Sequence, residues 1–152
     1  MSSVTLHAVT AANSAQTLPE VLSLIHALAL FEKDPDAVEA TIELLHRNFG
    51  FGETGKNTQY AQCVLAYVGG GPEEGGECVA MACYFFTFST WTGKGGLYLE
   101  DLFVKEAYRS QGISKKLFAY LGQICVDRDL PRMDWVRFEI SRTTEGQRSG
   151  CR

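Results

Sequence analysis

Two carboxylates, Glu100 and Asp101, stand side by side in the apolar run Leu97–Val104, and the basic Arg109 follows just ahead of a small-residue bend containing Gly112. The segment Gly96–Leu121 reads as a buried strand, a short turn and a helix. Backbone N–H groups at a helix start lack intrahelical acceptors and carry the positive end of the helix dipole. Strand, glycine bend and helix N-terminus together make a cradle for phosphate or pyrophosphate. Glycine at the bend lets the backbone come close to such a group. An anion cradle beside a carboxylate points to a nucleotide-tailed cosubstrate that reacts next to a base.

The rest of the chain must position these groups. Val4–Val9 alternates polar and apolar residues and predicts a first strand. Leu18–Glu32 predicts a helix that starts at Thr17 and Pro19, with Val21, Leu22, Leu24, Ile25, Leu28 and Phe31 at helical spacing. Asp34-Pro35 predicts the start of a second helix, with Val38, Ile42 and Leu45 as its buried stripe. Phe49–Asn57 reads as a loop. Tyr60–Val68, Cys78–Thr87 and Leu97–Val104 predict three antiparallel strands. The first two are joined by Gly69–Gly76, a hairpin connection rather than a phosphate loop because no helix follows it. Gly112–Asp129 predicts an amphipathic helix with Leu117, Leu121, Ile124 and Cys125 inward, and Met133–Ile140 a last strand. The expected fold is α/β (α+β), a mixed central sheet flanked by helices. The final helix is long enough for a parallel crossover.

Composition narrows the class. A chain of 152 residues with 45% hydrophobic and 21% charged content fits one globular domain with a sizeable core. A net charge of −4 argues against general nucleic-acid binding, so any anion site rests on local groups such as Arg109, Lys115 and Lys116. Cys63, Cys78, Cys83 and Cys125 lie in apolar stretches and read, together with Cys151, as reduced thiols of an intracellular, cytoplasmic protein. His7, His26 and His46 lack ligand spacing, so no metal site is expected. The N-terminus lacks a secretory pattern, and no unbroken apolar stretch of about 18 residues predicts a membrane span.

The motif Arg109-x-x-Gly112-x-Ser114 resembles the acyl-CoA pyrophosphate loop of the GNAT superfamily of N-acetyltransferases, usually Q/R-x-x-G-x-G/A, with Ser114 departing from its last small residue. The likeness extends through Tyr84-Phe85-Phe86, Trp91-Thr92-Gly93-Lys94 and Tyr98-Leu99-Glu100-Asp101. These residues look like spermidine/spermine and thialysine N-acetyltransferases, as does the aromatic–acidic pair Phe31-Glu32. The resemblance runs from about Val4 to Val136. It implies acetyl transfer from acetyl-CoA, as cosubstrate, to a primary amine of a small polyamine-, diamine- or thialysine-like molecule. An alkylammonium ion has a pKa of about 10.4 and must lose a proton before it attacks. The resemblance assigns that proton to Glu100 as catalytic base. Neighbours on a strand face opposite ways unless a bulge intervenes, so Asp101 is left to shape the site or bind a distal ammonium.

The same resemblance gives cosubstrate binding to the backbone of Leu102, Phe103 and Val104, which pair with the pantetheine arm like an added strand, and to Arg109, Ser110, Gln111, Gly112, Ile113, Ser114 and Lys115. It gives amine binding to Phe31, Glu32, Trp91, Glu100 and Asp101, Trp91 as an apolar or cation–π wall. Ser89 replaces an acid of the polyamine enzymes, which argues against long polyamines.

Beyond Val136 the likeness stops. Residues 1–140 read as the acetyltransferase domain and 141–152 as a divergent polar tail, similar to translation past an altered splice junction or shifted frame. The family's downstream tyrosine, the usual acid for the CoA thiolate, has no counterpart, since the last tyrosine is Tyr120. The expectations that follow are reduced stability, an exposed sheet edge near Met133–Ile140 that favours a homodimer, and low activity. The alternative reading is a catalytically impaired isoform that binds CoA or dimerises.

Overall fold

A computed structural model describes residues 3–53 and 58–135. Five strands form one sheet in the order β1 (Val4–Ala8), β2 (Gln62–Val68), β3 (Glu77–Ser89), β4 (Lys94–Val104) and β5 (Met133–Trp135). The first three pairings are antiparallel, and β4 and β5 run parallel through the crossover helix α3 (Ile113–Asp127). This is the mixed sheet that the order of elements predicts. The helix α1 (Ser14–Phe31) covers one face and α3 the other.

Strand alternation builds a core on each face. Cys63, Leu65 and Tyr67 of β2 and Met81 and Cys83 of β3 pack with Leu18, Val21 and Leu24 of α1. Their strand neighbours Val64, Ala66, Ala80, Ala82 and Tyr84 turn the other way, onto Ile113, Leu117 and Leu121 of α3. Leu117 is fully buried. Truncation to alanine removes methyl groups from a close-packed site, so Leu117→Ala is expected to lower unfolding free energy by about 2–5 kcal/mol. Urea unfolding followed by circular dichroism measures it; a loss below about 1 kcal/mol contradicts the packing described.

Three expectations need correction. Helix α1 starts at Ser14, earlier than Pro19 suggests: the Asn13 carbonyl takes the Thr17 N–H (3.0 Å), while Asn13 Oδ1 is tied to the Thr10 N–H (2.8 Å) and does not cap the helix. Pro19 is thereby carried inside the helix. Asp34-Pro35 opens only a 3₁₀ turn, Pro35–Ala37, and the second helix, α2 (Ile42–Asn48), begins afresh where Thr41 Oγ1 accepts the Leu44 N–H (3.2 Å). The buried stripe expected there does not form: Ile42 is exposed, while Leu45 is partly buried against the core. By length and apolar composition alone, α1 also passes for a membrane-crossing segment. Its buried residues Leu18, Val21 and Leu24 spend that apolar character on the sheet. The strand expected over Met133–Ile140 is seen for Met133–Trp135; the remainder, and the tail, lie outside the described residues.

Candidate active site

The strand that carries the two acids is irregular at the point where they sit. Cys83 pairs with Asp101 and the next residue of β3, Tyr84, pairs with Leu99, so Glu100 is the extra residue of a β-bulge. A bulge bends its strand and resets which face each residue meets. Before it, Leu97 and Leu99 pack on the α3 side; after it, Leu102 does so, while Phe103 joins the α1 side. Simple alternation between Glu100 and Asp101 therefore gives way to the exception named for it. Glu100 is exposed at the bulge and Asp101 is half-buried.

Asp101 lies close enough to Glu100 and Glu32 to feel both charges. Burial first, then Glu100, then Glu32, raises its carboxyl above the usual aspartate value. A carboxyl raised in the native state favours folding while protonated, and that advantage is lost as pH climbs from the ordinary aspartate range, about 3.9, through the raised value. Asp101→Asn removes the cost of holding this charge. The variant is expected to melt at a higher temperature than the parent at pH 7, with the difference shrinking as pH falls below about 4. Melting curves at both pH values test this, and a variant destabilised at pH 7 rules it out.

Glu32 caps the C-terminus of α1, its N–H bonded to the Leu28 carbonyl (2.9 Å), directly after the half-exposed Phe31. The Phe31 ring meets Phe103 of β4 at 6.5 Å and the Arg109 guanidinium lies 4.4 Å from its centroid. Arg109 Nε also donates to the Val104 carbonyl (3.0 Å). Arg109 thus fastens the end of α1 to the end of β4. The expected phosphate contact of its side chain has to be made around these two attachments.

After β4 the chain passes through a 3₁₀ turn, Glu106–Tyr108, and two left-handed residues, Ser110 (φ 62°) and Gly112 (φ 79°), before α3 starts. The N–H groups of residues 110–115 find no backbone acceptor among the described residues, whereas the Lys116 N–H bonds the Gly112 carbonyl (3.2 Å). A cleft of about 260 Å³ lies here, lined by Val104, Tyr108, Arg109, Ser110, Gly112, Ile113, Ser114 and Lys115. A Cβ placed on Gly112 would meet nothing within 4 Å. Orphan donors, a left-handed glycine and open space fit the phosphates of a nucleotide.

Of the residues expected at this cleft, Gln111 is not in its wall: it is exposed and its Nε2 donates to the Ala107 carbonyl (3.3 Å). The side chains of Leu102 and Phe103 turn into the two cores, which leaves their backbone as what they can offer. On that edge β5 pairs with Leu97–Leu99, and no partner of Glu100–Val104 is seen among the described residues. Tyr108 lines the cleft without having been singled out in the sequence, where it reads only as part of the turn after β4.

Trp91 is not brought to the acids. It stands at the tip of the β3–β4 hairpin, 97% exposed. The strand from Cys83 to Ser89, at ~3.3 Å per residue, separates it from Asp101 by roughly 20 Å. Within one chain it forms no wall of the acidic site. The aromatic surface nearer by in the ladder is the stack of Phe85 on Tyr98, with centroids 4.9 Å apart. Long-range pairing creates it, so no local motif announces it.

Residues 35–144 match the acetyltransferase (GNAT) family. The thialysine N-epsilon-acetyltransferase of Bos taurus is 37% identical over 122 residues, covering 76% of this chain and 68% of that protein. The Homo sapiens spermidine/spermine N(1)-acetyltransferase-like protein 1 is 39% identical over 109 residues, 71% of this chain and 15% of that protein. Among solved structures, an aminoglycoside acetyltransferase from an uncultured soil metagenomic sample, in complex with sisomicin, aligns with a TM-score of 0.70 at 15% identity. That alignment covers 97% of this chain and 93% of the other. At that identity the likeness concerns the fold.

Proposed function

The chain belongs to the GNAT family of acetyltransferases, and on that footing we propose that it transfers the acetyl group of acetyl-CoA to the primary amine of a small, multiply charged cation of the thialysine or polyamine kind. The observation that carries the substrate class is the acidic group Glu32, Glu100 and Asp101, in which both glutamates act on Asp101, with Glu100 and Asp101 on the strand whose end, Val104, lines the anion cleft. Acetyl-CoA supplies a thioester carbonyl as the acyl donor. Ser110–Lys115 hold its phosphates with backbone N–H groups, and Leu102–Val104 offer strand-like hydrogen bonds to its amide arm. A backbone N–H on the same edge polarises the carbonyl.

The exposed carboxylate of Glu100 takes the proton from the ammonium, directly or through water; the neutral amine then attacks the thioester carbonyl, the C–S bond breaks, and the CoA thiolate leaves and takes its proton from water. Asp101 and Glu32 attract the cation and hold a second ammonium. A bound cation also offsets the repulsion among the three acids, which draws Asp101 toward its charged form. The exposed Phe88 and Trp91 of the hairpin suit coverage by a second copy, so the proposal includes a homodimer, located in the cytoplasm.

The deciding experiment follows thiol release from acetyl-CoA with spermidine, putrescine, lysine and thialysine as acceptors. Release with a diamine or with thialysine supports the proposal. Binding of acetyl-CoA without release turns the protein into a CoA-binding member of the fold, and absence of both removes the functional reading.

A further inference from the structure

The α1-side face of the sheet holds a pair of thiols that acetyl transfer does not use. Cys63 of β2 and Cys83 of β3 stand directly opposite each other in the antiparallel ladder. Their sulfurs are 3.3 Å apart, and both side chains are buried. Cys83 in turn pairs with Asp101 on β4, so thiol, thiol and carboxyl occupy one row across three strands.

Opposed residues of an antiparallel pair have Cα atoms about 4.5 or 5.5 Å apart. Both values fall in the window of about 4.4–6.8 Å that a disulfide accepts. Bond formation closes the sulfurs from 3.3 Å to about 2.05 Å across a backbone spacing of the kind a disulfide spans. Cys78 is no competitor for Cys83, since it lies on the same strand roughly 16 Å further along. Cys125 sits on α3, on the other side of the sheet.

We propose that Cys63 and Cys83 are a modification site: a dithiol that hydroperoxides convert to a cross-strand disulfide beside Asp101. Cys83 is the less buried, at 8% exposure against 2%, and reacts first. Its sulfur attacks the O–O bond and takes one oxygen to become a sulfenic acid, while the other oxygen leaves as alcohol, or as water from hydrogen peroxide. The Cys63 sulfur then attacks the Cys83 sulfur, the S–S bond forms, and the sulfenic oxygen leaves as water with the Cys63 proton. Two thiols lose two electrons and two protons, and one hydroperoxide is reduced. Burial, followed by the hydrogen bond from Cys83, raises the Cys63 thiol, which disfavours its own attack on peroxide and leaves the first step to Cys83. Contact at 3.3 Å makes the second step intramolecular and fast relative to further oxidation.

The test treats the full chain with hydrogen peroxide, quenches it in denaturant with an alkylating agent, and maps the products without reduction. Cleavage after Glu73, Glu74 and Glu77 separates Cys63 from the other two thiols of this region, and cyanogen bromide at Met81 separates Cys78 from Cys83. The expected result is a fragment pair joined through Cys63 and Cys83, lighter by two hydrogens and released by dithiothreitol. It should persist in Cys125→Ala and Cys78→Ala and vanish in Cys83→Ala. Recovery of both cysteines as free thiols, their conversion to sulfinic or sulfonic acids, or linkage through another cysteine overturns the proposal. None of these outcomes depends on acetyl transfer.

Discussion

Glu100→Gln is expected to lower turnover by about 10²–10⁴-fold, the range that loss of a general base produces, with acetyl-CoA affinity nearly unchanged. The amide keeps the shape of the side chain and its place at the bulge but cannot take a proton from an ammonium ion. The position matters as much as the chemistry. As the extra residue between Leu99 and Asp101, Glu100 is lifted out of the ladder and remains exposed on β4. Steady-state rates and calorimetric titration with acetyl-CoA, run on the same preparation, separate the two effects. Equal turnover in the variant removes Glu100 from the reaction. Raising the pH is expected to recover part of the lost rate, because more of the amine, pKa about 10.4, is then already neutral.

The second large effect is expected at Gly112. Its φ of 79° opens α3, and a β-branched residue is strained there by about 1–3 kcal/mol. Gly112→Val also places methyl groups in the open space over the cleft, where the proposed function puts the phosphates of acetyl-CoA. The variant is expected to bind acetyl-CoA at least tenfold more weakly, equivalent to about 1.4 kcal/mol, and to unfold at lower urea. Gly112→Asn serves as the comparison, since asparagine tolerates the left-handed region better than valine. A Gly112→Val protein that loses stability but binds acetyl-CoA normally reduces the glycine to a helix cap. The two substitutions thus probe opposite halves of the site, one by rate and the other by affinity.

Glu100 and Gly112 also mark how differently the site's parts are written in the chain. Gly112 announces itself locally: a small, achiral residue between a strand pattern and an amphipathic helix pattern has few other uses. Likewise Leu117 and Leu121 lie one helical turn apart, and both are fully buried. Helix starts are written less plainly in the chain. Pro19 is a conspicuous residue, but the turn of Thr10 and Asn13 starts the helix before it, with no side-chain cap. Asp34-Pro35 carries the right residues for a helix start, yet the chain makes one 3₁₀ turn there and defers to Thr41. Local capping bonds of about 1 kcal/mol each decide such boundaries, and several sequences of equal quality compete for them.

By itself the sequence determined the order of elements, the strand–bend–helix cleft at Arg109–Lys115, and the pair of acids beside it. All of these follow from short-range rules: alternation, helical period, and the backbone freedom of one glycine. Tertiary structure alone decided that Glu100 occupies a bulge, that Arg109 is tied to Phe31 and Val104, that Trp91 stands far from Asp101, and that Cys63 meets Cys83. Each of these depends on the register between strands or helices distant in the chain. A shift of one residue in that register turns every side chain to the opposite face, and only the packing of both cores against α1 and α3 selects the register that is observed.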